Sequence, residues 1–243
     1  MTMKAILTGH TRGLGEAIAG ELLARHIPVL GIARKRNDAL GQRYPDNLQQ
    51  AQVDLADSHA LNGWLAGDAL RAFAGDADSL VLINNAGTVQ PIGPLAAQEE
   101  QRIAQAISLN IAAPLMLSGA IAALQVSDTR ILHVSSGAGR SAYAGWSVYC
   151  ATKAALDHHA RSVALDKSPG IRICSLAPGI IDTDMQAEIR ASALERFPMR
   201  PRFDDLKRQG QLVDPKDCAR RLVDYLLSPR FGQTPVADLR EVA

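Results

Sequence analysis

Short apolar runs alternate with longer stretches of helical character from the start of the chain almost to its end. KAILT (4–8), PVLGIA (28–33), LQQAQV (48–53), SLVLIN (79–84), RILHVS (130–135) and RICSLA (172–177) have the length of strands. Most lack polar alternation, as expected when both faces of a strand are buried. Between them, residues 13–26, 58–73, 98–125 and 148–167 are amphipathic or rich in Ala and Leu over helical lengths. Strand, helix, strand repeated through right-handed crossovers predicts an α/β fold, a doubly wound parallel sheet with helices on both faces.

The rhythm breaks after residue 178. Residues 179–213 are richer in charge and carry Pro198 and Pro201, which predicts short helices forming a substrate lid over the carboxyl edge of the sheet. DPKDCARRLVDYLL (214–227) then predicts a last helix, capped by Asp214 with Pro215 in its first turn. Linkers, low-complexity tracts and internal repeats are lacking, so residues 1–243 are expected to form one domain.

Composition narrows the classes of function. A hydrophobic fraction of 47% and a charged fraction of 21% exclude extended disorder. With 26 basic and 25 acidic residues the net charge is +1, too small for a chain-wide field that would hold nucleic acid or an anionic membrane. Cys150, Cys174 and Cys218 are odd in number and share no metal-ligand spacing, which predicts reduced thiols in a cytoplasmic protein without a metal site. MTMKAILTGH has no apolar region of signal-peptide length, and no run is read as approaching the roughly 18 apolar residues of a membrane span.

Two segments carry chemistry. TGHTRGLG (8–15) lies between the first strand and the first helix. There Gly9 can turn tightly, Gly13 and Gly15 leave room for a pyrophosphate, and the free N–H groups from Leu14 onward form an anion site. The second strand ends in Ala33 where an NAD-preferring site places an acidic residue, and Arg34, Lys35 and Arg36 follow. Arg12 and Arg34 together would clamp a 2′-phosphate, which favours NADP(H), whereas Lys35 and Arg36 read as surface cations. In SVYCATKAAL (147–156), Tyr149 and Lys153 stand one helical turn apart among Ala151, Ala154 and Ala155. The ammonium, together with the positive ring of a bound NADP⁺, is expected to lower the phenol pKa by about two to three units, a differential stabilisation of roughly 3–4 kcal/mol. Asn110 sits mid-helix, where asparagine is a poor choice, and Pro114 cannot donate to its carbonyl. The freed carbonyl can hold a water for a proton relay to Lys153, or the site is a packing kink.

These segments together resemble the short-chain dehydrogenase/reductase family, and the resemblance spans nearly the whole chain. TGHTRGLG is similar to its cofactor turn, NNAG (84–87) to its fourth-strand signature, and PGIIDT (178–183) to its P-G-x-x-x-T segment. Asn110, Ser136, Tyr149 and Lys153 match its catalytic tetrad, with the serine thirteen residues before the tyrosine. The resemblance implies a Rossmann-type NADP-binding fold and hydride transfer between nicotinamide and a carbonyl or alcohol carbon. It selects Ser136 over the adjacent Ser135 as the donor to the substrate oxygen. It also implies cofactor contacts from Asn85, Ala86, Gly87, Pro178, Gly179 and Thr183. For Asp54, contact with the adenine and an ordinary turn stay equally open.

Within the family, GWSVYCATKAALD, APGIIDTDMQ and GQLVD are similar to the branch that reduces sepiapterin, benzil and related diketones. That implies a vicinal dicarbonyl or side-chain ketone on a flat ring, bound by Ser136. Trp146, Tyr143 and Met185 would supply a flat apolar wall unless they are core residues. Asp238, near the chain's end, would stand where that branch anchors its ring. The helices near 98–125 and 148–167 match the pair that joins subunits in the family, so a homodimer or homotetramer is expected. The runner-up is a non-catalytic NADP-binding sensor, against which the intact tetrad argues.

Overall fold

The computed structural model describes residues 2–242. In chain order the elements are β1 (Met3–Thr8), α1 (Gly13–Ala24), β2 (Val29–Ala33), α2 (Asp38–Arg43), β3 (Leu48–Gln52), α3 (Ser58–Leu65), α4 (Ala69–Ala74) and β4 (Ser79–Asn84). Then come α5 (Glu100–Ile107), a π-helical turn (Ser108–Ala112), α6 (Ala113–Ala122), β5 (Asp128–Val134), α7 (Ser147–Leu165) and β6 (Ile171–Ala177). The chain closes with α8 (Asp184–Arg190), α9 (Arg200–Arg208), α10 (Pro215–Leu227), β7 (Val236–Asp238) and α11 (Leu239–Val242). All seven strands are parallel, in the order β3-β2-β1-β4-β5-β6-β7.

Successive strand residues point to opposite faces, so the unbroken apolar runs serve two cores at once. Leu7, Ile83, Leu132 and Leu176 pack under Leu14, Ile18 and Leu22 of α1 and Leu222 and Leu226 of α10. Their neighbours Ile6, Leu82, Ile131 and Ile173 pack on the other face, under Leu61, Leu70, Leu117, Ile121 and Ala160. A third cluster joins the lid to α7 through Trp146, Tyr149, Ile189, Phe197 and Phe203. The strand order reverses between β1 and β4, and the crevice at the carboxyl ends of these two strands is where such sheets bind their ligands.

Several elements depart from the sequence expectation. The stretch 58–73 is two helices, because Ala66, Gly67 and Asp68 interrupt it. A short α2 follows β2, its first turn capped by Asn37, which accepts from the Leu40 N–H at 2.9 Å. β7 adds a seventh strand of three residues beside β6. The last long helix begins as expected, with Asp214 accepting from the Lys216 and Asp217 N–H groups.

One expectation is corrected outright. The run Glu100–Ala122 covers 23 residues with a window of mean hydropathy 1.4, long and apolar enough to cross a membrane, and 33% of that window is buried. Glu100 and Arg102 are the only charged residues in the run. Here it packs Ala113, Leu117 and Ile121 into the core.

Candidate functional site

The floor of the crevice is pinned by Thr8 at the end of β1. Its hydroxyl accepts from the backbone N–H groups of Asn85 (2.9 Å) and Ala86 (3.0 Å), drawing the NNAG segment onto the glycine turn. The Asn85 side chain donates back to the carbonyls of Thr8 (3.0 Å) and Gly9 (3.3 Å). A Cβ at Gly15 would overlap the Gly9 carbonyl oxygen, so only glycine allows α1 to start this close to β1. At Gly87 an added Cβ would lie 3.3 Å from Asn110 Oδ1 and 3.7 Å from Lys153 Nζ, which puts this glycine against the catalytic end of the crevice.

The turn suits an anionic dinucleotide. No side chain caps the twelve-residue α1, whose N-cap residue is Arg12, and Leu14 and Gly15 follow in its first turn. An uncapped N-terminus facing a crevice presents free N–H groups to a pyrophosphate. Thr183, the N-cap of α8, lies over Gly13, its Cγ2 3.4 Å from where a Cβ would stand. Pro178 and Gly179 lead from β6 into that lid, the Pro178 carbonyl facing Cys218 Sγ at 3.6 Å.

Arg34 is exposed at the end of β2, beside the exposed Lys35 and Arg36. Arg12 is exposed as well, but its Nη1 reaches across the mouth to Asp184 Oδ2 at 3.2 Å. Asp54 closes a turn after β3, accepting from the Ala56 N–H at 3.0 Å, which is what the ordinary-turn alternative requires.

At the other end, α7 carries Tyr149 and Lys153 beneath the loop that follows β5. Both side chains are buried, and the Lys153 Nζ stands 5.7 Å from the centroid of the Tyr149 ring. The ammonium donates to the Val134 carbonyl at 2.8 Å, the residue two before Ser136. Burial pushes Lys153 down to about 8, with the Asp157 carboxylate pulling the other way. Burial also dominates at Tyr149, whose phenol rises to about 12 against the opposing hydrogen bond with Ser136. The expected lowering relied on the positive nicotinamide ring as well as the ammonium, and the ammonium by itself does not offset burial here. In the protein alone, loss of water around the phenol outweighs the nearby charge.

Ser136 caps a short turn, accepting from the Ala138 N–H at 3.2 Å while it faces the Tyr149 phenol. Ser135 points elsewhere, donating to Asp157 at 2.7 Å. Asn110 lies buried in the π-turn, where the helix widens before Pro114. Its amide donates to the Thr88 carbonyl (2.9 Å) and to Thr152 Oγ1 (3.1 Å), and its Oδ1 accepts from the Thr88 N–H (2.9 Å). The side chain thus ties the helix to the β4 loop and to α7.

Two substrate expectations fare differently from the tetrad. Trp146 is inside the lid cluster, stacked on Phe197 at 4.6 Å and edge-on to Tyr149 at 5.2 Å, so it is a core residue and not a cleft wall. Asp238 is held by Arg240 through Nε (2.9 Å), Nη2 (2.6 Å) and the backbone N–H (3.0 Å), which leaves its carboxylate paired within its own strand end. Met185 and Tyr143 are half-buried beside the same cluster.

Sequence reasoning missed the polar supports. His10 in the glycine turn is buried against Gly31 and bonds Gln50 Oε1 at 2.8 Å; burial lowers its pKa, so the ring is neutral. Gln50 also accepts from the Asn37 N–H (2.7 Å), and Asn37 donates to Glu16 (2.9 Å), which fixes the loop that carries Arg34. The one local signal was Asn37, a cap-forming residue directly before a helical stretch.

Comparison with known proteins agrees with this geometry. The profile of the family described as short chain dehydrogenase matches residues 3–194. The chain is 35% identical over 245 residues to benzil reductase ((S)-benzoin forming) of Bacillus cereus, covering 97% of this chain and 98% of that one. It is 30% identical to sepiapterin reductase of Xenopus laevis, covering 91% and 89%. Among solved structures, a short-chain dehydrogenase/reductase from Burkholderia vietnamiensis is 47% identical, with a TM-score of 0.73 and coverage of 100% and 99%.

Proposed function

This chain belongs to the short-chain dehydrogenase family, and from that premise we propose that it is an NADPH-dependent carbonyl reductase acting on a ketone or vicinal dicarbonyl attached to a flat ring. The observation that carries the reading is the convergence of Ser136, a buried phenol and a buried ammonium at the end of the crevice opposite the glycine turn. The names of the benzil- and sepiapterin-reducing relatives support the substrate class.

When bound, the reduced nicotinamide supplies a hydride to the carbonyl carbon. The uncapped start of α1 would hold the pyrophosphate, Arg12 and Arg34 the 2′-phosphate, and Asn85, Ala86, Gly87, Gly179 and Thr183 the intervening walls. Ser136 donates a hydrogen bond to the substrate oxygen, where negative charge grows. Tyr149, neutral because it is buried, delivers its proton to that oxygen as the charge develops. Lys153 stabilises the phenolate left behind, and the Asn110 carbonyl holds the water through which the proton returns. Met185 lines the substrate side, while Trp146 and Asp238 are left out of it.

We also propose a homodimer or homotetramer through the outer face of α5, α6 and α7. Ile107 is 45% exposed and Leu165 78% exposed there, and Ala151 and Ala154 present a smooth helix surface. The unpaired thiols support a cytoplasmic setting. An NADPH-oxidation screen with benzil, sepiapterin and simple ketones tests the activity, with NADH as control. Turnover with the ring-bearing dicarbonyls and NADPH is expected, and no oxidation of NADPH with any of them would leave the sensor reading standing.

A further inference from the structure

Lys153 is useful to the proposed reaction only while it carries its charge, yet the crevice removes most of the water that would stabilise that charge. What compensates is found one turn further along α7. The Asp157 side chain is 1% exposed, and its carboxylate is gripped by three donors from two other segments. Oδ1 accepts from Ser135 Oγ of the β5 loop and Ser175 Oγ of β6, both at 2.7 Å. Oδ2 accepts from Arg140 Nε at 3.2 Å, and Arg140 Nη2 continues to the Ala237 carbonyl at 2.8 Å. We propose that Asp157 is a positioning residue that supplies the buried counter-charge holding Lys153 protonated, and through Ser135 and Arg140 fixes both ends of the turn that presents Ser136.

The titratable neighbours leave this role to Asp157. Tyr149 on α7 is held neutral by burial, its phenol at about 12. His133 on β5, bonded to His159 of α7 at 3.0 Å, is pushed down to about 3 and is neutral too. Cys174 on β6, beside Tyr225, is pushed up to about 11 by burial and keeps its proton. Asp157 is the charged group whose influence reaches the catalytic ammonium, and Arg140, paired with it at 3.2 Å, partly neutralises it. Burying a charge without a partner is costly, and a carboxylate already oriented by three donors is a partner that needs no rearrangement. Asp157 touches none of the reacting atoms and acts through Lys153 and Ser136.

The inference rests on the proposed role of Lys153, so its test is read on the protein without substrate or cofactor. In protein labelled with ¹³C at the lysine Cε, the Lys153 resonance is assigned by its loss in Lys153→Met and followed against pH. Asp157→Asn is expected to move the titration down by about one pH unit, since one buried charge is removed and Arg140 is left unopposed. Arg140→Gln should move it up by roughly half a unit, because Asp157 then acts unshared. If Asp157→Asn does not fold, the upward shift in Arg140→Gln decides alone. Ser175→Ala, which removes a neutral donor, should leave the titration within about 0.3 unit. In active enzyme the alkaline limb of kcat should follow the same order. Absence of any shift in Asp157→Asn, a downward shift in Arg140→Gln, or an equal shift in Ser175→Ala would each overturn the inference. An inert enzyme whose Lys153 titration shifts as stated would instead count against the proposed activity and leave the counter-charge intact.

Discussion

At the tetrad end of the crevice, Asn110, Tyr149, Lys153 and Asp157 are buried, and Asn110, Lys153 and Asp157 are each tied by hydrogen bonds to a neighbouring segment. At the mouth, Arg12 is 74% exposed and Asp184 73% exposed, joined by a single ion pair, and Arg34 stands in solvent nearby. Burial at one end leaves each polar group one satisfactory arrangement and shifts its proton affinity. Exposure at the other leaves charges that can change partners at little cost, since a solvated ion pair contributes only about 0–1 kcal/mol. Chemistry that needs a fixed geometry belongs at the first end. Recognition of a mobile, charged group such as a 2′-phosphate suits the second.

The comparison can be broken most decisively at Tyr149. Tyr149→Phe removes the proton donor and is expected to lower kcat by about 10²- to 10⁴-fold. NADPH affinity, measured by fluorescence titration, should change by less than about twofold, because the hydroxyl contributes little to holding the dinucleotide. At the mouth the effects should fall on binding. Arg12→Ala and Arg34→Ala are each expected to weaken NADPH by about ten- to a hundredfold and leave NADH unchanged, the loss of a charge-assisted contact to the phosphate.

The buried region should also show itself in acid. His133 is held at about 3 by burial, so its contribution is complete above the unfolded value of 6.5 and is lost as pH falls towards 3. The unfolded chain takes up a proton that the folded one refuses, at up to about 1.4 kcal/mol per pH unit. Thermal unfolding between pH 7 and 5 should therefore show a shallower loss of Tm in His133→Asn than in the parent. The smallest effect belongs to the mouth. Asp184→Asn frees Arg12 from its carboxylate and should tighten NADPH by less than about fivefold, with no change for NADH.

What the sequence made legible follows the same division. Five of the six longer strands announce themselves because both faces are largely apolar, the glutamine-rich β3 being the exception; helix pitch makes the Tyr149 and Lys153 pair readable, whereas Asn110 and Ser136 rest on the family resemblance. β7 is three residues long, too short to carry a pattern, and the break at Gly67 weighs little against the helical residues around it. The Asp157 hub is invisible for another reason: its partners Ser135, Ser175 and Arg140 come together only when β5, β6 and α7 pack. Trp146 and Asp238 stay ambiguous in the sequence because an aromatic or an acid near a site reads alike whether it faces the cleft or a neighbour. The effect of burial on the phenol was not legible either, since spacing reveals the nearby ammonium but not the lost water.

That last point is open to direct measurement. Following the Tyr149 ring carbon that bears the hydroxyl by ¹³C NMR, assigned against Tyr149→Phe, reports its protonation in the protein without cofactor. A buried proton donor should stay protonated through pH 10. A titration between pH 7 and 8 would contradict it and show that the ammonium, not burial, governs the phenol.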